Sequence, residues 1–159
     1  MSDFNSLTAS ELGDLIGQGE IDPVELTEHF LSRIETSPIG KKIYSTVTSQ
    51  LALEQAKDAK TRAISGRRLS ALDGVPISWK DLFDIEGYPC EAGSELLAGR
   101  LANQNCEVYN LAEAQGLICL GKTHMSELAF SGLGLNPVRE TPPCVNYPES
   151  VPGGSSSGA

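Results

Sequence analysis

Residues 72–81 have the sequence LDGVPISWKD. Within them, Val75 to Trp79 is a short run with β-strand character that ends at Lys80. Such a run predicts a strand that delivers a lysine into a dry, apolar environment. The alternative is a lysine at a strand end that forms a surface salt bridge, and the local residues alone favour that simpler interpretation.

The residues that follow show helix and strand patterns in succession. Cys106 to Gln115 has a helical pattern that Gly116 closes, and Leu117 to Leu120 has the composition of a buried strand. A helix followed by an apolar strand is typical of α/β layering, in which strands are covered on both sides. We therefore expect an α/β fold.

The first third of the chain predicts three helices. Thr8 and Glu11 have the spacing of a capping box, and the first helix should stop at Gly17 and Gly19. Asp22-Pro23 starts a second helix, and a third is expected from about residue 51 to residue 64. The three apolar stripes are Leu12, Leu15 and Ile16; Leu26, Phe30, Leu31 and Ile34; and Ala52, Ala56, Ala59 and Ala63.

Composition narrows the possible classes of function. The 159 residues carry a net charge of −9, which argues against a nucleic-acid binder and predicts no direct nucleic-acid partner. No apolar run reaches the roughly 18 residues needed to span a membrane. The first five residues, MSDFN, have neither a basic start nor an apolar stretch, so we expect no signal peptide, no membrane partner and a cytoplasmic location.

The cysteines and histidines do not suggest a metal centre. No two cysteines form a Cys-x-x-Cys pair, and only His29 and His124 are available to assist a metal. Reduced thiols in a cytoplasm are the simple interpretation. The four cysteines are Cys90, Cys106, Cys119 and Cys144.

Residues 116–123, GLICLGKT, match the phosphate-loop pattern G-x-x-x-x-G-K-[ST]. In a true phosphate loop the strand precedes the first glycine, whereas here Leu117 to Leu120 is itself the expected strand. No apolar strand ending in Asp follows to hold magnesium. The pattern therefore favours a buried strand with Lys122 at its exit.

Residues 154–158, GSSSG, match the G-x-S-x-G nucleophile elbow of α/β-hydrolases. That elbow needs a strand before the serine, but Pro152-Gly153 lies there, and it needs Asp and His later in the chain. The elbow interpretation is therefore disfavoured. A glycine- and serine-rich run is also typical of a flexible linker, which remains the simple alternative.

Three blocks in the same order resemble the amidase-signature family. Residues 72–81 resemble the segment that carries its catalytic lysine, and residues 121–128, GKTHMSEL, resemble its Gly-Lys-Thr-Asn-Met block with His124 in the usual Asn place. Residues 152–158, PGGSSSG, resemble its glycine- and serine-rich signature. The resemblance implies a mixed β-sheet core covered by helices, of which this chain would be the N-terminal part.

The resemblance also assigns roles by position. Lys80 would be the general base, and Ser155 would be the bridging serine with the cis peptide bond. The nucleophilic serine and the oxyanion-hole amides would lie in a later glycine-rich turn. A serine is a weak nucleophile until a base takes its proton, and a lysine is a base only when burial lowers its pKa. Ser156 and Ser157 are expected to be structural, with hydroxyls that bond turn amides.

Other side chains near these blocks are expected to have structural roles. Asp81 and Asp84 flank the strand and should orient loops by bonding backbone amides. His124 should be a hydrogen-bonded structural histidine. Trp79 and Phe83 should belong to the core.

The implied activity is hydrolysis of a carboxylic amide to carboxylate and ammonia or amine through a serine acyl-enzyme. The implied partners are a small-molecule amide substrate and, in a homodimer, a second copy of the chain; no metal or organic cofactor is implied. Residues 1–159 would be the N-terminal portion of a single amidase domain, cut within the signature. Residues 1–65 would form a mainly helical layer and residues 66–159 the start of the catalytic α/β core. The 159-residue chain alone should be inactive.

Two alternatives remain open. One is the A subunit of glutamyl-tRNA(Gln) amidotransferase, although residues 132–137, GLGLNP, followed by Thr141-Pro142, look more like stand-alone amidases. The other is a non-catalytic fragment or interaction module, which the missing nucleophile suggests.

Overall fold

The computed structural model describes residues 4–159. From residue 40 onward its helices and strands alternate in an α/β arrangement, as the sequence predicts. The helices are α1 (Ala9–Gln18), α2 (Pro23–Thr36), α3 (Gly40–Ile43), α4 (Ser49–Ile64) and α5 (Glu107–Ala114). The strands are β1 (Tyr44–Val47), β2 (Pro76–Lys80) and β3 (Ile118–Thr123), and short 3-10 turns lie at Phe4–Ser6, Glu95–Leu97 and Glu127–Ala129.

The three strands form one mixed sheet in the order β1-β3-β2. β1 runs antiparallel to β3, with Thr46 opposite Lys122 and Val47 opposite Gly121. β3 is the central strand and is buried along its whole length. The sheet therefore places the end of β2 beside the end of β3.

The helix signals of the sequence are confirmed at the first two helices. Thr8 and Glu11 form the complete capping box of α1, and Gly19 closes this helix with a left-handed φ of 76°. Gly17, in contrast, lies inside α1. At the start of α2, Asp22 Oδ1 accepts a hydrogen bond from the amide of Val24 at 2.8 Å.

The chain divides into two compact units. The first contains residues 4–32, 48–77 and 110–120, and the second contains residues 33–47, 78–109 and 121–159. The core of the first unit consists of the buried side chains Leu12, Ile16, Ile21, Leu26 and Val75. In the second unit, Trp79 contacts Phe83 and Tyr109 with ring centroids 5.4 Å apart in each pair.

A buried ion pair stabilises the turn before β2 in the first unit. The Arg62 guanidinium donates to both carboxylate oxygens of Asp73, at 2.8 and 2.7 Å, and the Asp73 side chain is 0% exposed. The amide of Leu69 donates to the same carboxylate at 2.9 Å. Because these bonds share one buried acceptor, the turn depends on the arginine.

Arg62→Met is therefore expected to lower the free energy of unfolding by about 3–5 kcal/mol, because it leaves the Asp73 carboxylate buried without its cation. The matched control is Arg100→Met, since the Arg100–Asp84 pair is 42% and 29% exposed and should contribute about 0–1 kcal/mol. Urea unfolding of the natural polypeptide measures both. Equal losses for the two variants would contradict the expectation.

Candidate active site

The structure brings Lys80 and Ser155 together. The two residues are 75 positions apart, and Lys80 Nζ lies 2.5 Å from Ser155 Oγ. Lys80 is the last residue of β2, and the peptide bond between Gly154 and Ser155 is cis. The lysine and the serine that the family resemblance selects thus form one hydrogen-bonded pair.

Burial alters the acid–base behaviour of Lys80. Removal of the ammonium group from water lowers the pKa of Lys80 below the ordinary 10.5. Lys60 shows the opposite behaviour: its hydrogen bond to Asp22 raises the pKa of that lysine. Among residues 4–159, no carboxylate forms an ion pair with Lys80. Lys80 therefore reaches its neutral, proton-accepting form at a lower pH than an exposed lysine.

The glycine- and serine-rich run that carries Ser155 is anchored by backbone hydrogen bonds. The amides of Gly153 and Gly154 donate to the carbonyls of Leu133 and Gly132, at 3.1 and 2.8 Å. The carbonyl of Ser155 accepts from the amide of Ser126 at 3.0 Å. These bonds disagree with a flexible linker, whose amides would bind water.

The strand end that carries Lys80 is held by the neighbouring strand β3. Thr123 Oγ1 donates to the carbonyl of Trp79 at 3.3 Å, and the amide of Asp81 donates to the carbonyl of Thr123 at 3.0 Å. Trp79 is buried and Phe83 is half-buried, so both belong to the core as expected.

Lys122 lies within β3, and the expectation that it lies at the strand exit is wrong. Its side chain is 0% exposed, and its ammonium group lies 2.8 Å from Asp81 Oδ1 and donates to the carbonyl of Pro89 at 2.6 Å. The strand extends to Thr123 because this buried pair lets a lysine occupy an interior position. Residues 116–123 are consequently a strand and its lead-in, which agrees with the case against a phosphate loop.

The two aspartates after β2 have different partners. Asp81 Oδ2 accepts from the amide of Glu91 at 3.3 Å, as expected for a residue that orients a loop. Asp84 instead pairs with Arg100 at 2.6 and 2.8 Å. The Arg100 guanidinium lowers the pKa of Asp84 to about 2, so this carboxylate stays ionised at neutral pH.

The remaining residues near the pair have structural contacts. His124 is buried, which lowers its pKa, and its ring hydrogen-bonds the backbone of Lys41. Ser156 is exposed, whereas the Ser157 hydroxyl is buried and has no hydrogen-bond partner among residues 4–159. Ser157 therefore does not bond a turn amide as expected.

The described part of the chain contains neither a metal cluster nor a membrane-spanning helix. Within residues 4–159, no group of three or more His, Cys, Asp and Glu side chains has the arrangement to hold a metal ion. No helix in the same range is long and apolar enough to cross a membrane. The four cysteines are free thiols.

Residues 25–159 match the profile of the amidase family, and the chain belongs to that family. It is 39% identical to the A subunit of glutamyl-tRNA(Gln) amidotransferase from Thioalkalivibrio sulfidiphilus, over 96% of this chain and 31% of that protein. It is 35% identical to the corresponding protein of Acinetobacter baumannii, over 100% of this chain and 32% of that protein.

Solved structures show the same fold. A bacterial aryl acylamidase of the amidase signature family superimposes with a TM-score of 0.86 and 27% identity. The match covers 96% of this chain and 32% of the acylamidase. The chain thus spans about a third of the length of the relatives it matches.

The sequence indicates Lys80 and Ser155 but not the contacts of Thr123, Ser126 or the Lys122–Asp81 pair. A signal was present, because Lys122 is the single charged residue in the apolar run from Leu117 to Thr123. A lysine inside such a run requires a buried acceptor. The sequence does not show which carboxylate supplies it.

Proposed function

We propose that this chain carries the general base and the bridging serine of an amide hydrolase. The enzyme would cleave a carboxylic amide to a carboxylate and ammonia or an amine through a serine acyl-enzyme. The supporting observation is the 2.5 Å hydrogen bond between Lys80 Nζ and Ser155 Oγ, with the lysine pKa lowered by burial. The same proposal makes residues 1–159 the N-terminal portion of one amidase domain.

The proposed first step is a proton relay. Neutral Lys80 accepts the proton of Ser155 Oγ, while Ser155 Oγ accepts the proton of a nucleophilic serine that lies outside residues 1–159. That serine oxygen attacks the amide carbonyl carbon, and the carbonyl π bond becomes an oxyanion. Lys80 thereby becomes an ammonium ion without any compensating carboxylate among the described residues.

The second step returns the proton. The Lys80 ammonium protonates Ser155 Oγ as Ser155 protonates the leaving nitrogen. The oxyanion re-forms the carbonyl, the C–N bond breaks, and the amine departs neutral and leaves the acyl-enzyme. A water molecule then attacks the acyl-enzyme by the same relay and releases the carboxylate. The lowered pKa of Lys80 suits both directions, because a group that exchanges a proton twice works best with a pKa near the working pH.

The second candidate function is that of the amidotransferase component named among the relatives. The sequence relatives at 35–39% identity carry that name, which favours it more than residues 132–137 alone suggested. The Lys80–Ser155 chemistry is the same in both cases. The candidates differ in substrate, because the amidotransferase component would hydrolyse glutamine when ATP and a partner protein stimulate it.

Trapping with hydroxylamine tests the acyl-enzyme. In the natural polypeptide that carries these residues, hydroxylamine should divert the acyl group from water and yield a hydroxamate together with the released ammonia or amine. A panel of simple amides and glutamine, with and without ATP and partner proteins, identifies the substrate class. The Lys80→Ala variant is the control for uncatalysed aminolysis. Amide hydrolysis that proceeds without any hydroxamate would contradict the covalent route.

A further inference from the structure

Lys122 is a buried cation that the proposed reaction does not use. Its side chain is 0% exposed. The burial of a lysine ammonium group is strongly unfavourable unless the group is paired. Its partner Asp81 is 5% exposed, so the whole pair lies away from solvent. A buried ion pair often adds little net stability to a protein. Its best-attested role is to hold the chain in one of several possible conformations.

The arrangement that this pair fixes is that of the residue directly after Lys80. Asp81 Oδ1 lies 2.8 Å from the Lys122 ammonium group. Every other polar group of Asp81 is also hydrogen-bonded. Its amide donates to the carbonyl of Thr123 at 3.0 Å, and its carbonyl accepts from the amide of Ala92 at 3.0 Å. Its second carboxylate oxygen accepts from the amide of Glu91 at 3.3 Å. The backbone direction at Lys80 is therefore determined by its neighbour.

Thr123, the next residue of β3, holds the backbone on both sides of Lys80. Its hydroxyl donates to the carbonyl of Trp79, the residue before, and its carbonyl accepts from the amide of Asp81, the residue after. The hydroxyl contact spans 3.3 Å and the amide contact 3.0 Å. Lys122 and Thr123 thus act on the same three-residue segment.

The same buried run also holds Ser155. Residues 121–126 are all buried, and the amide of Ser126 donates to the carbonyl of Ser155 at 3.0 Å. Both members of the Lys80–Ser155 pair are therefore located relative to one short, buried segment. A displacement of that segment at Lys122 would change the distance between the reacting atoms.

We propose that Lys122 and Thr123 are positioning residues that hold Lys80 against Ser155. This inference rests on the proposed function, because it gives these residues a role in the same proton relay. Small displacements of reacting groups lower rates far more than they lower substrate binding, since proton transfer requires hydrogen-bond distance.

The first test is the double variant Lys122→Met with Asp81→Asn in the natural polypeptide, which removes both charges together and leaves neither unpaired. We expect kcat to fall about tenfold or more with KM nearly unchanged. On the Lys80→Ala background the same two changes should cause no further loss, because they act through the missing lysine.

The second test is Thr123→Val, which serves if the double variant fails to fold. Its matched control is Thr48→Val, which removes an equally buried hydroxyl that donates to the carbonyl of Cys119 at 2.7 Å, also on β3. Thr123→Val should lower kcat, and Thr48→Val should leave it near the wild-type value.

Folded variants of Lys122 or Thr123 with wild-type kcat would overturn the positioning role. An equal fractional loss of kcat in the wild-type and Lys80→Ala backgrounds would also overturn it, because such a loss indicates a general structural effect. The two proposals fail separately. If Lys80→Ala keeps full activity, the proposed function is wrong; if Lys80→Ala is inactive while Thr123→Val is fully active, only the positioning inference is wrong.

Discussion

Lys80→Ala is expected to lower kcat/KM for amide hydrolysis by about 10²–10⁴-fold in the natural polypeptide, because general acid–base catalysis contributes on that scale. The variant removes the group that lies 2.5 Å from Ser155 Oγ. Lys80 is the last residue of β2, and its neighbours Trp79 and Asp81 keep their bonds to Thr123. The loss should therefore appear in the rate and not in the thermal unfolding curve.

The pH dependence gives a second measurement on the same variant. In the proposed mechanism the active form of the base is the neutral lysine, so kcat/KM should rise with pH through the pKa of Lys80 and level off above it. Burial lowers that pKa from 10.5, which moves the rise to lower pH than an exposed lysine would give. Lys80→Ala should lose this rise. If another group were the base, the rise would persist in Lys80→Ala.

Lys60→Ala is the matched control, because Lys60 also makes a 2.5 Å hydrogen bond, to Asp22. That bond raises the pKa of Lys60, so this lysine stays charged and cannot act as a base near neutral pH. We expect Lys60→Ala to retain wild-type kcat/KM. A loss of less than tenfold for Lys80→Ala would rule out Lys80 as the general base.

The helices could be predicted because their signals are local. The capping box of Thr8 and Glu11 and the Asp22-Pro23 start each lie within one turn, and the alanine stripe repeats over about three turns of α4. β1 was not predicted and lies in the part expected to be mainly helical. Its four residues, Tyr44–Val47, alternate only between half-buried and exposed, and their partner strand is far along the chain.

The position of Lys122 shows that a local sequence pattern does not predict where β3 ends. The strand was expected at Leu117 to Leu120 because a lysine normally marks the end of a buried run. The structure continues β3 to Thr123, since Asp81 and the carbonyl of Pro89 receive the ammonium group. Both acceptors come from a distant part of the sequence, so the residues next to Lys122 do not show that its ammonium group has buried partners.

The candidate site was predictable for another reason. Locally, Lys80 resembles a surface lysine at a strand end, and Ser155 resembles a residue of a linker. The order of three blocks in the chain selected both residues, and the structure places them in contact 75 positions apart. The anchoring of Ser155 by Ser126 could not be predicted, because a backbone-to-backbone bond leaves no mark on residue type.

Ser155→Ala should lower kcat by about a hundredfold or more while KM stays nearly constant, because the proposed relay between Lys80 and a nucleophilic serine loses its middle oxygen. The side chain is half-buried, and its only change is the loss of one hydroxyl, so the backbone bond from Ser126 remains. Steady-state kinetics on amide substrates measures the effect. Ser156→Ala is the matched control, since this neighbouring serine is exposed and should keep near-wild-type kcat.

The double variant Lys80→Ala with Ser155→Ala separates a relay from two independent contributions. Residues that pass one proton act as a unit, so the second substitution should add little once the first has stopped the transfer. If the two losses multiply, the serine and the lysine contribute separately and the hydrogen bond between them is structural. If Ser155→Ala alone keeps wild-type kcat, Lys80 must reach the nucleophile without it, and Ser155 is not a bridging serine.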